Sequence, residues 1–115
     1  MLPKSNRLSS TYEFNKTRRL GKRVSSPLFD IFYLDIYNYD GPSRIGVVVT
    51  NRYSKIAPVR NRVKRVFREV LRHAVKKIKP GYWIVVHPRK SAENKGYEEI
   101  SIEINKALPK TPFFG

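Results

Sequence analysis

The sequence contains no cysteine. That excludes disulfides, a thiol nucleophile and cysteine-bound zinc or iron–sulfur sites. Histidine is scarce, at two residues, and Asp and Glu together number only nine. No Gly-rich phosphate loop, nucleophile elbow or metal-binding motif is present. Long hydrophobic runs are missing too. The richest apolar stretch, Leu28 to Tyr37, is interrupted by Asp30 and Asp35 and is far too short to span a bilayer. The opening residues Met1-Leu2-Pro3-Lys4-Ser5 lack the apolar run of a secretory signal. The expectation is a cytoplasmic protein that does not work in a membrane.

Against the nine acids stand 24 Lys and Arg, giving a net charge of +15 and a pI near 10.4. Such an excess favours a polyanionic partner, nucleic acid before anionic membrane. The 115 residues are one domain's worth, with 40% apolar and 29% charged residues, enough for one core. The expectation is a single RNA-binding domain over 1–115. The charge is concentrated. Residues 1–29 carry seven Lys/Arg and one acid, and residues 52–79 carry eleven Lys/Arg and one Glu. Residues 30–51 are net acidic, and residues 80–115 are nearly balanced. A patch of this kind marks where a phosphate backbone would lie.

Local patterns give a coarse element map. Ser10-Thr11-Tyr12-Glu13 has the form of a capping box and predicts a short helix, ended by Gly21 in the left-handed conformation. Val24 marks a short extended piece. Leu28 to Tyr37 reads as a strand, with Phe29, Ile31 and Tyr33 on one face and Leu28, Phe32, Leu34 and Ile36 on the other. Asn38 to Pro42 is a turn and Arg44 to Thr50 a second strand, and the two strands are expected to pair as a hairpin. Pro58 suits a helix's first turn. From there Val59, Val63, Val66, Phe67, Val70, Leu71, Ala74 and Ile78 form one apolar stripe, stopped by Pro80-Gly81. Tyr82 to His87 is a buried-type strand, which the crossover could place parallel to an earlier one. Residues 97–108 fit either strand or helix. Early glutamates and a late Lys106 favour the helix, with Pro109 ending it.

The central helix carries the clearest functional signal. Opposite its apolar stripe, Asn61, Arg65, Arg68, Arg72 and Lys76 form a ridge bordered by Lys64. Arg60 points toward the apolar side and would act from the helix start. A merely solvated helix face usually mixes signs, yet Glu69 is the one carboxylate between residues 52 and 79. Arginine matches phosphate oxygens in pairs and stacks on bases. The ridge therefore reads as a nucleic-acid face. His73 and His87 read as packed or surface histidines rather than catalysts. Asp30, Asp35 and Asp40, spaced by five, alternate between faces along a strand and cannot share a metal.

The segment Ala57-Pro58-Val59-Arg60-Asn61-Arg62-Val63-Lys64-Arg65-Val66-Phe67-Arg68-Glu69 resembles the signature of the bacterial ribonuclease P protein component. Asn6-Arg7-Leu8 with Glu13-Phe14, Arg44-Ile45-Gly46-Val47, Tyr82 to Val86 and Tyr97-Glu98-Glu99 extend the likeness over nearly the whole chain. The resemblance implies an α+β fold of order α-β-β-β-α-β-α, ribosomal-protein-S5-domain-2-like, with a mixed sheet and a left-handed β-α-β crossover. It also implies a role as protein subunit of a ribozyme that removes the 5′ leader of precursor tRNA. The partners would be the ribonuclease P RNA and that leader, with no obligate protein partner. Catalytic groups and Mg²⁺ would belong to the RNA subunit, with no cofactor bound by the protein alone.

By that resemblance, Arg60, Asn61, Arg62, Lys64, Arg65 and Arg68, with Arg72 on the same ridge, would contact the RNA subunit or organise the loop that does. Phe14, Arg18 and Phe32 would line a cleft for the leader between the first helix and the sheet. Tyr12, Tyr33 and Tyr37 are weaker candidates. Two departures from the family pattern stand out. Arg18 occupies a position where relatives often carry a second aromatic, which moves the balance from stacking toward phosphate attraction. The stretch 50–58 is one residue longer than usual and lacks a glycine, so the carry-over stops short of Asn51 and Arg52. The competing reading is a ribosomal or general RNA-binding protein with no part in catalysis. A DNA-binding helix-turn-helix protein is more distant, because Arg44 to Thr50 reads as strand.

Overall fold

The computed structural model describes residues 6–8 and 10–114, so Met1–Ser5 lie outside the described residues. The elements are α1 (Thr11–Leu20), β1 (Lys22–Ser25), β2 (Phe29–Asp35), β3 (Arg44–Val47), α2 (Ala57–Ala74), β4 (Tyr82–Pro88) and α3 (Tyr97–Ala107). This is the expected α-β-β-β-α-β-α order. The strands make one mixed sheet in the spatial order β1-β2-β4-β3. β2 runs antiparallel to both β1 and β4, and β3 runs parallel to β4.

Strand alternation separates two faces. Phe29, Ile31, Ile45, Ile84 and Val86 join Val63, Phe67, Leu71, Ile100 and Ile104 of α2 and α3 in the main core. Phe29 and Phe67 meet edge to face at 5.9 Å. Each such fully buried side chain contributes roughly 1.5–3 kcal/mol. Phe32, Val85 and Gly46 share one row on the opposite face. There α1 packs against β2 and β4, and Val85 is fully buried. The residues 97–108 are helical as favoured, and Phe113 is fully buried in the main core against Tyr33 and Tyr82.

Three local expectations are corrected. β2 and β3 do not pair as a hairpin, because β4 lies between them. β4 holds the chain's most deeply buried strand run, Ile84-Val85-Val86, and only a central position satisfies its backbone on both edges. Gly21 does not take the left-handed conformation: its φ is −80° and its ψ 172°. It is small for another reason, since a Cβ there would overlap the carbonyls of Thr17 and Tyr33. The left-handed glycine is Gly81, at φ +98°, whose N–H donates to the Gly41 carbonyl at 2.9 Å. Finally, α2 ends at Ala74 rather than at Pro80. A 3-10 turn follows at Val75–Lys77, and Ile78 forms a bridge to Phe114.

Candidate nucleic-acid interface

α1 is fixed at both ends, which positions its side chains. Ser10 Oγ accepts from the Glu13 N–H, and Glu13 Oε1 accepts from the Ser10 N–H, each at 3.1 Å. A cap of this kind is worth about 1 kcal/mol. The second Glu13 oxygen holds Arg44 of β3 at 3.2 Å. At the other end the close approach of Gly21 seats the chain on β2. α1 therefore crosses the sheet from β3 to β2. Phe14 and Arg18, four residues apart, lie on one side of that crossing.

Phe14 is half-buried over Gly46, where the missing side chain leaves room for its ring. Beside it is a small cleft of about 130 Å³, lined by Arg7, Leu8, Phe14, Gly46 and Arg68 among others. Arg7 bridges to Ile45, and the Leu8 N–H donates to the Ile45 carbonyl at 3.1 Å, so this segment walls the β3 edge.

Further along α1, Arg18 Nη1 lies 3.2 Å from His87 Nε2 of β4, while Nη2 donates to Asn15 Oδ1 at 2.6 Å. His87 meets Phe32 edge to face at 5.6 Å, and the Arg23 guanidinium lies 5.9 Å over the same Phe32 ring. The structure thus sets Phe14 over Gly46, Phe32 in the same cross-strand row through Val85, and Arg18 beside His87, which meets Phe32. Asp30, cross-strand from His87, pairs with Arg89 at 2.9 Å and Arg23 at 3.5 Å. Burial pushes the Asp30 carboxyl up, but hydrogen bonds from Arg89 and Ser25 and the two arginine charges outweigh it and hold it below its usual range.

The expected RNA-contact residues of α2 divide into two groups. Asn61, Lys64, Arg65 and Arg68 line a shallow groove with Glu69. The side chains of those first four form no hydrogen bond or ion pair with other described residues. Arg68 also lines the Phe14 cleft, so ridge and cleft are continuous. The others are engaged inside the protein. Arg60 Nη1 donates to the Ser54 carbonyl at 2.8 Å and braces the loop ahead of α2. Arg62 donates to the carbonyls of Glu93 and Lys95, tying α2 to the segment before α3. Arg72 donates to both Glu69 oxygens, at 2.6 and 3.3 Å. Those hydrogen bonds, with the Arg72 charge, hold the Glu69 carboxyl at about 2. The ridge's one carboxylate therefore pairs with Arg72, and Arg65 and Arg68 have no hydrogen-bond or ion-pair partner among the described residues.

Of the weaker candidates, Tyr33 faces the main core against Phe113 at 5.4 Å, on the other side of the sheet from Phe14. Tyr37 is 89% exposed in the β2–β3 loop. Tyr12 is exposed beside Lys16, whose Nζ is 5.7 Å from its ring and 5.9 Å from that of Trp83. Asn51 and Arg52 are exposed in the turn before α2. Sequence reasoning passed over His87, Arg23 and Arg7 as groove residues. Their roles depend on strand register, and the available signals were that Arg7 and Arg23 lie in the basic N-terminal segment and that Arg7 belongs to the Asn6-Arg7-Leu8 match. Among the described residues, no three His, Asp or Glu side chains come together to hold a metal, and no helix is long and apolar enough to cross a membrane.

The family model described as Ribonuclease P matches residues 2–111. The ribonuclease P protein component of Pseudanabaena sp. is 34% identical over 110 residues, covering 96% of this chain and 94% of that one. The Xylella fastidiosa component is 35% identical over 106 residues, covering 92% and 76%. Among solved structures, the Thermotoga maritima RNase P protein superposes with a TM-score of 0.78 at 26% identity, covering 91% of this chain and 96% of that one. The Staphylococcus aureus RNase P protein gives 0.83 at 22% identity, covering 97% and 100%, a likeness of fold.

Proposed function

Since the chain belongs to the ribonuclease P protein component family, we propose that it serves as the protein subunit of a ribonuclease P holoenzyme that matures the 5′ ends of tRNA. The α2 ridge, through Asn61, Lys64, Arg65 and Arg68, attaches to the RNA subunit. Arg60 and Arg62 organise the loops around it. The groove beside α1 takes the 5′ leader of precursor tRNA, with Phe14 and Phe32 offering ring faces and Arg18 a guanidinium. A π-face accepts any base, which suits a leader of varied sequence. Bond cleavage and its Mg²⁺ belong to the RNA subunit, and the protein contributes substrate binding.

The observation that carries this reading is the continuity of groove and ridge at Arg68. One RNA strand can run from the ring of Phe14 onto a cationic face without crossing an acidic surface. The test is cleavage of a precursor tRNA by the cognate ribonuclease P RNA at near-physiological Mg²⁺, with and without the protein. Strong stimulation with a single cut at the mature 5′ end, and no cutting by protein alone, is the expected result. A folded, RNA-binding preparation that gives no stimulation would return the chain to a general RNA-binding role.

A further inference from the structure

Two nitrogen-bearing groups meet in the α1 groove with no carboxylate between them. Arg18 Nη1 lies 3.2 Å from His87 Nε2. A guanidinium keeps its protons at any working pH. His87 Nε2 must therefore accept, and the free protein holds this imidazole neutral with its proton on Nδ1. The charged groups facing His87 are Arg18 from α1 and Asp30 from β2. Asp30 is already bridged by Arg89 and Arg23. On the β3 side the neighbouring residues are the uncharged Gly46 and Val48. Burial and the Arg18 charge push the imidazole below its ordinary range, against a smaller opposing effect of Asp30.

This is an unusual way to use a histidine. Two guanidiniums, Arg23 and Arg89, bracket one carboxylate, and beside them stands an imidazole that protonation would set against Arg18. An anion reverses that conflict. A phosphate oxygen placed between the two groups accepts from Arg18. Once Nε2 carries a proton, it accepts from His87 as well. Two charge-assisted hydrogen bonds then replace one contact between a cation and a neutral ring. The Phe32 ring, 5.6 Å from the imidazole, supplies a wall against which the adjoining base can stack.

We propose that Arg18 and His87 form a seat for one phosphodiester of the single-stranded leader, completed by a proton that His87 takes up at Nε2 as the phosphate enters. The inference rests on the leader-groove reading above and adds to it a named residue and a proton stoichiometry. One solvent proton binds, Nδ1 keeps its own, and no covalent bond changes. Because the bound state holds the proton more tightly than the free state, leader affinity is greatest at low pH and falls as pH rises.

The experiment measures binding of leader-bearing and leaderless tRNA to the reconstituted holoenzyme from pH 5.5 to 8, with the wild-type protein and His87→Gln. The leader-specific part of the wild-type affinity is expected to weaken by about tenfold across that range. In His87→Gln the same quantity is expected to be flat. Heats of wild-type binding at pH 6.5, taken in two buffers of different ionisation enthalpy, should report net proton uptake that leaderless tRNA does not produce. That second measurement does not depend on the variant's folding. A leader contribution with no pH slope and no proton uptake, or with the same slope in His87→Gln, overturns the proposal and leaves the groove reading standing. No leader contribution at any pH in either protein removes the groove reading and the phosphate seat with it.

Discussion

The ring of Phe14 lies where a side chain on Gly46 would have to go. A Cβ built on Gly46 overlaps Cε1 and Cζ of that ring and comes within 3.2 Å of the Leu8 Cβ. Gly46 is thus the floor of the cleft, and its lack of a side chain decides how deep the aromatic settles. Gly46→Ala should lift the ring, lower stability by about 1–3 kcal/mol as overpacking does and weaken leader binding. Because the two residues share one space, the loss in the Gly46→Ala/Phe14→Ala double variant should be smaller than the sum of the single losses. Urea unfolding of the three variants checks this, and strict additivity would mean that the ring and the glycine do not compete.

Phe14 itself should behave as a leader contact. Phe14→Ala is expected to weaken binding of leader-bearing precursor by roughly 1–3 kcal/mol, the range for removing one base stack. Mature tRNA should be bound as before. Equal losses for both substrates would assign the ring a purely structural role under α1.

Most of the architecture could be read from residue order alone. Capping at Ser10 and Glu13, the apolar stripe from Val59 to Ala74 and the glutamates of α3 are local signals, and local signals place helices. Strand neighbours are different. Placing β4 between β2 and β3 depends on which strand is buried on both edges, and that is decided by the assembled sheet. The same gap affected the interface. Phe14 and Arg68 stood out by motif, whereas His87 reaches the groove only because register sets it opposite Asp30. Periodicity likewise put Arg72 on the ridge, and the family resemblance added Arg62, without either showing that Glu69 and two backbone carbonyls occupy them.

That division within α2 predicts two kinds of arginine. Arg65→Ala with Arg68→Ala should leave thermal stability nearly unchanged and flatten the salt dependence of binding to the RNA subunit. The slope of log K against log salt should drop by about 0.7–0.9 for each phosphate that is no longer neutralised. Arg62→Ala should do the reverse. Its removal leaves the Glu93 and Lys95 carbonyls without their donor, so unfolding should be easier by about 1–3 kcal/mol, with the salt slope preserved. Paired melting curves and salt titrations separate the two classes. A stable Arg62→Ala with a reduced slope would put that side chain on the RNA instead.

Acid should unfold the protein in two steps that belong to facing residues. His87 has its folded-state value lowered by burial and by Arg18, so the unfolded chain binds this proton more readily. Its destabilising effect therefore begins as pH falls below the ordinary histidine value of about 6.5. Asp30 is also lowered, here because its hydrogen bonds to Arg89 and Ser25 and the charges of Arg89 and Arg23 overcome burial. Its contribution is complete above the ordinary carboxylate range and is lost only as pH falls through the lower folded-state value. Stability measured against pH in the absence of RNA should therefore decline first just below 6.5 and again below about 4. His87→Gln should remove the first decline. Asp30→Asn should reduce the second, to which the lowered Glu69 also contributes, and deepen the first, because the carboxylate that partly offsets Arg18 at the imidazole is gone. A single decline below 4 in the wild type would mean that His87 is as easily protonated in the fold as outside it, and that Arg18 exerts no hold on its ring.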